Sequence, residues 1–267
     1  MSQQLTITID GKQCTCEKGE YLLDVAKRNG IFIPTLCHHE GLGGIGSCRV
    51  CICEVVARGR SQVVTSCIYP VEGEIEVFTK NERIKEQRAI ILALLHHLAP
   101  ASETISQMAA FMGADLPRLA DKEGGEKCIL CGRCTTACEQ IGTGAIAKCG
   151  RGVTKEIATP YHQPTAECIG CAACANVCPT GEITCEQTDE SVTIWGKTFE
   201  YLRCSCCGEP FATREQYEFA ASKRHLPADP DTAAATGQDP EPLCEACEKR
   251  ATAQRLAKNS IQFVVEP

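Results

Sequence analysis

"CIGCAACANVCP", residues 168–179, puts four cysteines in eleven positions with a proline directly behind the last. A disulfide staple and a metal centre both use cysteine at that density. The whole chain has 267 residues and 22 cysteines, a richness otherwise met in short secreted scaffolds that lack a core of their own. This chain opens "MSQQLTITIDGKQ", with no basic and then apolar leader to suggest secretion. Its longest apolar stretch, "AIILALL" at 89–95, is far shorter than the ~18 residues that cross a membrane. The expectation is a cytoplasmic, reducing location, where thiols stay free to bind metal. The net charge of −7 argues against nucleic acid as a partner, since phosphate neutralisation needs a basic face.

The quoted run has a twin. "CILCGRCTTAC" gives Cys128, Cys131, Cys134 and Cys138, and forty residues on Cys168, Cys171, Cys174 and Cys178 repeat the spacing, with Pro179 behind. C-x2-C-x2-C-x3-C is the bacterial arrangement for two [4Fe–4S] cubanes, in which the fourth cysteine of each run crosses to the other cluster. That assigns Cys128, Cys131, Cys134 and Cys178 to one cubane and Cys168, Cys171, Cys174 and Cys138 to the other. Gly132, Gly170, Ala172 and Ala173 let the backbone approach closely. Zinc ribbons use pairs of cysteines, not triplets with a fourth behind.

Ahead of these runs the sequence reads as a small α+β unit. "LTITI" at 5–9 alternates and is followed by the turn signal Asp10-Gly11. "KQCTCE" makes a second strand, and a helix near 20–29 has Leu22, Leu23, Val25 and Ala26 on its apolar face. Strands are expected at 50–56, 62–67 and 73–79. Cys14 and Cys16 share one face of a strand and read as small buried side chains. Cys37, Cys48, Cys51 and Cys67 remain, around a loop with Gly41, Gly43, Gly44 and Gly46 that can turn amide hydrogens onto sulfur. Their spacing differs from the plant ferredoxin form, yet the context fits a [2Fe–2S] site. Cys53 is the one substitute ligand in reach and reads as structural. Residues 82–120 read as helical, broken at Pro100, with Ser102 as N-cap of the second helix.

These four cysteines, with "HEGL", "GSCRVC" and "TSC", then "CILCGRC", "GTGAIAKCGRG" and "CIGCAACANVCPTGEI" in order, resemble the start of the large iron–sulfur subunit of respiratory complex I. They are also similar to the diaphorase iron–sulfur subunit of NAD-linked hydrogenases and to the front of multi-cluster iron-only hydrogenases. The resemblance covers about residues 4–186. It implies a ferredoxin-like β-grasp domain and a two-cubane domain, in a soluble complex that exchanges electrons with NAD(P)H through a flavoprotein partner. That family usually adds a cubane held by one histidine and three cysteines. Counting from His97, Ala101 and Thr104 stand where its first two cysteines belong, so that cluster is expected to be missing, and His96 and His97 revert to ordinary helix residues. With a chain of 267 residues, the further domains of longer relatives are not expected either.

The tail carries Cys204, Cys206, Cys207, Cys244 and Cys247. Cys204-x2-Cys207 with Cys244-x2-Cys247 is the four-thiolate pattern of a structural zinc site. An additional iron–sulfur cluster and free thiols are the competing readings. "VTIWGKTFEYL" reads as strand, and "PADPDTAAATGQDPEP" at 227–242 as a flexible loop.

The expected architecture is α+β in four parts: 1–80 β-grasp [2Fe–2S] domain, 81–125 helical linker, 126–190 two-[4Fe–4S] ferredoxin domain, and 191–267 zinc-ribbon-like domain. The expected role is a non-catalytic relay of single electrons between a flavin- and NAD(P)H-binding subunit and at least one further redox subunit. The complexes that use such a part include hydrogenases, transhydrogenases and formate dehydrogenases, electron-bifurcating ones among them. No G-x-G-x-x-G follows a strand, and no P-loop, G-x-S-x-G or H-E-x-x-H motif is present. A stand-alone iron–sulfur reductase is the second reading and would oxidise NAD(P)H unaided. A zinc-dependent interaction scaffold is the third and would be colourless.

Overall fold

The computed structural model describes residues 3–114, 125–223 and 242–262. The chain forms two compact units, Met1–Ala158 with Ala173–Thr184, and Thr159–Ala172 with Cys185–Pro267.

The first unit begins with the expected hairpin. Strands β1 (Gln4–Ile9) and β2 (Lys12–Glu17) pair antiparallel. Asp10 and Gly11 both take positive φ, +46° and +82°, as a two-residue turn between right-twisted strands requires. Helix α1 (Leu22–Arg28) buries the four apolar residues read from its sequence. Strands β3 (Ile52–Ala57) and β4 (Arg60–Thr65) form a second hairpin, and β5 (Glu76–Phe78) enters between the two. The sheet order is β2-β1-β5-β3-β4, with β1 and β5 parallel. One helix laid over such a mixed sheet is the β-grasp arrangement. Ile7, Ile9, Leu22, Leu23, Val25, Val55 and Val77 fill its core, and Cys14, Cys16 and Cys53 are buried among them.

Helix α2 (Glu82–Leu98) starts where the Asn81 side chain accepts the Ile84 amide at 3.0 Å, and it stops short of Pro100, which cannot continue a helix. Helix α3 (Glu103–Phe111) follows. Ser102 takes its N-cap position, but its hydroxyl makes no capping bond and is buried without a partner, so the expected cap is positional only. The helical reading of 115–120 lies outside the described residues. Helix α4 (Arg133–Ile141), the short pair β6 (Ala147–Cys149) and β7 (Glu156–Ala158), and the one-turn helix α5 (Ala173–Asn176) complete the unit.

The second unit carries β8 (Glu186–Gln187), β9 (Ser191–Ile194), β10 (Lys197–Arg203) and β11 (Pro210–Thr213) in an antiparallel sheet of order β11-β10-β9-β8. Helices α6 (Arg214–Lys223) and α7 (Glu245–Gln262) follow. "VTIWGKTFEYL" is therefore two strands, not one. Trp195 and Gly196 turn the chain at φ +54° and +72°, and the bulk of a tryptophan disguised that turn. The loop read at 227–242 lies outside the described residues apart from Pro242.

Phe199 is 1 % exposed and packs on the loop carrying Cys168 and Cys171. A Cβ at Gly170 would stand 2.7 Å from its Cδ2, and Gly170 has φ +69°, so glycine is required twice over. Thr213 Oγ1 donates to the Ile169 carbonyl at 2.6 Å and Lys197 Nζ to the Cys168 carbonyl at 3.3 Å. Phe199→Ala is expected to cost about 3–5 kcal/mol, measured by denaturant titration of this unit's transition. The same change should raise protease sensitivity near Cys168, and leave the first unit's transition in place.

Among the described residues no helix is long and apolar enough to cross a membrane. All 22 cysteines are described and none forms a disulfide.

Candidate metal centres

Three groups of thiols are brought together. The first lies at one end of the β-grasp sheet. Cys37 sits in the long connection after α1, Cys48 and Cys51 directly before β3, and Cys67 in the 3-10 turn after β4 (Ser66–Ile68). The β3–β4 register pairs Ile52 with Thr65, which sets Cys51 beside the Cys67 turn. Ser66 fastens that end, its amide and hydroxyl donating to the Cys51 carbonyl at 3.2 and 2.8 Å. All four thiols are 1–4 % exposed. The Cys48 amide donates to Cys37 Sγ at 3.4 Å.

The four thiols bond to one another. Hydrogen bonds from Cys48 and Cys67 hold Cys37 below the usual thiol range. The bond to Cys37 pushes Cys48 up, and bonds to Cys37 and Cys51 push Cys67 up. A bond from Cys67 draws Cys51 down. Four buried thiols bonded to one another and to nearby amides are the donor set an iron pair would take over once their protons leave. Cys53, pushed up to about 12 by burial, stays an ordinary core thiol.

The loop reaches this geometry through close backbone contact. A Cβ on Gly44 would stand 2.8 Å from the Cys67 carbonyl carbon and nearer still to its oxygen. Arg49, between Cys48 and Cys51, has φ +62°, a conformation that turns successive amides toward one side.

The second group is Cys128, Cys131 and Cys134 with Cys178. Cys131 and Cys134 feel the charges of both Cys128 and Cys178, so the last cysteine of the second run stands with the first three of the first. Burial pushes Cys134 up to about 12 and raises Cys128 and Cys131. Burial pushes Cys178 the same way, but the amides of Ile183, Thr180 and Glu182 and the Thr180 hydroxyl outweigh it and bring the thiol below its usual value. The Leu130 amide donates to Cys128 Sγ at 3.4 Å. Positive φ at Leu130 and Gly132 (+53° and +83°) recurs at Gly170 and Ala172 (+69° and +54°), so both runs wrap their second cysteine in one backbone conformation.

These two groups share one core. Leu36, Cys37, Cys48 and Val50 pack with Ile129 and Cys131, over Leu92, Ala99, Ile105 and Ala109 of the linker helices and their connection. Ser47 Oγ donates to the Leu130 carbonyl at 3.3 Å, and Arg133 Nη1 to the Leu36 carbonyl at 3.3 Å. Arg133 Nε is buried without a partner, which fits a donor waiting for a sulfide acceptor. Leu92, Ala99, Ile105 and Ala109 are the apolar residues packed where the resemblance would place a histidine-ligated cluster. Thr104, standing where a thiol would be needed, donates to the Pro179 carbonyl at 2.9 Å.

Cys138 Sγ accepts from the Ala145 amide at 3.2 Å and meets Thr143 Oγ1 at 3.1 Å. Its expected companions divide between the units, Cys174 with the first and Cys168 and Cys171 with the second. Their grouping rests on the spacing.

The third group is in the tail. Cys204 follows β10, Cys207 lies in the next turn, and Cys244 and Cys247 flank the start of α7. The four sulfurs lie within 4.8 Å of one another. Cys207 and Cys244 are 3.8 Å apart, the edge of a tetrahedron with zinc–sulfur bonds of about 2.3 Å. The Cys244 amide, 3.3 Å from Cys204 Sγ, leads the bonds that hold Cys204 below the usual thiol range. Cys206 is exposed and its thiol bonds to Cys247.

Sequence reasoning missed Arg88 and Arg133. Arg133 was visible inside "CGRC". Arg88 was visible as the charged residue midway between buried Ile84 and Leu92 on one helix face.

Comparison with known proteins finds two iron–sulfur domains in the chain. Residues 2–82 match the family "2Fe-2S iron-sulfur cluster binding domain", and residues 127–182 match "4Fe-4S dicluster domain". The chain is thus an iron–sulfur protein of mixed α and β structure, with a domain of each kind. It is 34 % identical over 212 residues to the NADP-reducing hydrogenase subunit HndD of Solidesulfovibrio fructosivorans, covering 67 % of this chain and 36 % of that one. It is 30 % identical over 227 residues to the NADPH-Fe(3+) oxidoreductase subunit alpha of Geobacter sulfurreducens, covering 76 % and 26 %. The NADH-ubiquinone oxidoreductase 78 kDa subunit of Candida albicans is 25 % identical over 207 residues, covering 68 % and 28 %. The chain spans about a quarter to a third of the length of these relatives.

Proposed function

We propose that this chain relays single electrons through one [2Fe–2S] and two [4Fe–4S] clusters, between a flavin- and NAD(P)H-binding subunit and another redox subunit of a cytoplasmic NAD(P)-linked oxidoreductase, of which electron-bifurcating complexes are one kind. Cys37, Cys48, Cys51 and Cys67 take the [2Fe–2S] cluster. Cys128, Cys131, Cys134 and Cys178 take one cubane, and Cys138, Cys168, Cys171 and Cys174 the other. The parts are the four expected from sequence, at 1–80, 81–125, 126–190 and 191–267. When bound, each cluster supplies a one-electron couple.

The observation that carries this reading is the shared core of the first two thiol groups. The Ser47–Leu130 and Arg133–Leu36 bonds hold two donor sets in direct van der Waals continuity. Apolar side chains exclude water between them, so little reorganisation opposes charge movement. Amides aimed at Cys37, Cys128, Cys138 and Cys178 offset the negative charge of the thiolates. The names of the hydrogenase and oxidoreductase relatives support NAD(P)H as the distant electron source or sink.

The test is reduction of the anaerobically purified brown chain. NAD(P)H alone is expected to leave its visible absorbance unchanged, and NAD(P)H with a catalytic amount of a flavin-containing NAD(P)H-oxidising subunit to bleach it. Bleaching by NAD(P)H alone would favour the stand-alone reductase.

Cys204, Cys207, Cys244 and Cys247 take a structural zinc ion. Four sulfurs at this mutual distance suit one ion, since a cubane's iron atoms would hold them further apart. Cys247→Ser is expected to remove about one zinc per chain, to make the tail sensitive to limited proteolysis, and to leave iron unchanged. Loss of iron instead of zinc would mean that the tail holds a cluster.

A further inference from the structure

Arg88 lies on the buried face of α2, four residues from Ile84 and from Leu92, and is 2 % exposed. Its Nε donates to the Val50 carbonyl at 3.0 Å, and its Nη2 to the carbonyls of Ile52 at 2.8 Å and Thr79 at 3.2 Å. Val50 and Ile52 are the chain neighbours of Cys51. Among the described residues no carboxylate forms an ion pair with Arg88. Asp10, nearby in the network, accepts from the Thr79 amide and hydroxyl. The thiols of Cys53 and Cys51 are the groups that interact electrostatically with the guanidinium.

An unpaired cation in a core is costly, and a neutral donor could serve carbonyls with less desolvation. The charge therefore calls for an anionic counterpart, and four thiolates around two iron atoms supply one. Reduction adds one more negative charge there. A fixed cation in low dielectric stabilises the reduced state more than the oxidised one.

We propose that Arg88 raises the reduction potential of the [2Fe–2S] cluster, acting as a fixed positive charge anchored to the carbonyls on either side of Cys51. This rests on the reading of Cys37, Cys48, Cys51 and Cys67 as the ligands. Arg88 is a positioning residue in that it touches the ligand strand rather than the iron.

A purely structural clamp makes the opposite statement about the potential. Loosening the clamp would admit water, which favours the more negative, reduced cluster and raises the potential. Removing the charge lowers it. The sign separates the two roles.

The experiment is a redox titration of the whole chain, following the [2Fe–2S] electron paramagnetic resonance signal, for wild type, Arg88→Lys, Arg88→Gln and Arg88→citrulline. Citrulline keeps Nε and one terminal nitrogen, the two atoms from which all three bonds leave, while an oxygen takes the place of Nη1 and the charge is lost. The neutral variants are expected to shift the reduction equilibrium at least tenfold toward the oxidised form, about 59 mV for a one-electron couple. Arg88→Lys is expected to stay near wild type. An unchanged or higher potential in the citrulline chain would overturn the proposal. So would loss of its cluster, which would make the charge a requirement of folding rather than of potential. If Arg88→Gln fails to fold, the citrulline chain decides alone. Absence of the signal from wild type would instead overturn the ligand assignment.

Discussion

Gly44→Ala empties the amino-terminal site while leaving both cubanes filled. The added methyl would fall against the carbonyl of Cys67, which is backbone and cannot rotate aside as a side-chain tip would. Either the glycine loop lifts away, taking Cys37 and Cys48 with it, or the Ser66–Cys67 turn is pushed from Cys51. Overpacking of this kind costs about 1–3 kcal/mol, and four ligands that must meet within a few tenths of an ångström do not tolerate the shift. The expected result is a loss of about two iron per chain and of the [2Fe–2S] resonance, with the cubane signals retained. Gly73→Ala is the control, since nothing lies within 4 Å of a Cβ there. Full retention of the [2Fe–2S] signal in Gly44→Ala would show that the loop is not held against Cys67.

Cys178→Ser tests the crossing of the two runs. Cys178 belongs by sequence to the run of Cys168, Cys171 and Cys174, yet its charge acts on Cys128, Cys131 and Cys134. Cys128→Ser and Cys178→Ser are each expected to remove about four iron, and the double variant no more than either alone. Cys168→Ser combined with Cys178→Ser should remove about eight. If Cys168 and Cys178 behave as one unit instead, each run holds its own cluster and the crossing is wrong.

Most of this was legible because thiol spacing is a stronger signal than hydropathy. The twin runs dictate a wrapped backbone, and the positive φ values at Leu130, Gly132, Gly170 and Ala172 are the form that wrapping takes. The hairpin at Asp10-Gly11 and the apolar face of α1 were equally plain, since both follow local rules. Less was visible where a local signal was weak or was shared with another residue. Trp195-Gly196 turns the chain although tryptophan is rare at positive φ. Ser102 has the residue type of a cap, but its hydroxyl is buried away from the amides it would serve. The joining of the first two thiol groups into one core depends on the pairs Ser47–Leu130 and Leu36–Arg133, 83 and 97 residues apart in sequence. Arg88 reads in isolation as one more solvated helix charge, and only its register between Ile84 and Leu92 marks it as buried.

The central claim, three clusters and one zinc on a single chain, is tested most directly by iron, acid-labile sulfide and zinc measured on one anaerobically purified sample. The expected result is about ten iron, about ten sulfide and about one zinc per chain. About twelve to fourteen iron with no zinc would contradict it, placing a fourth cluster in the tail and making that end of the molecule a port for electrons rather than a structural clasp.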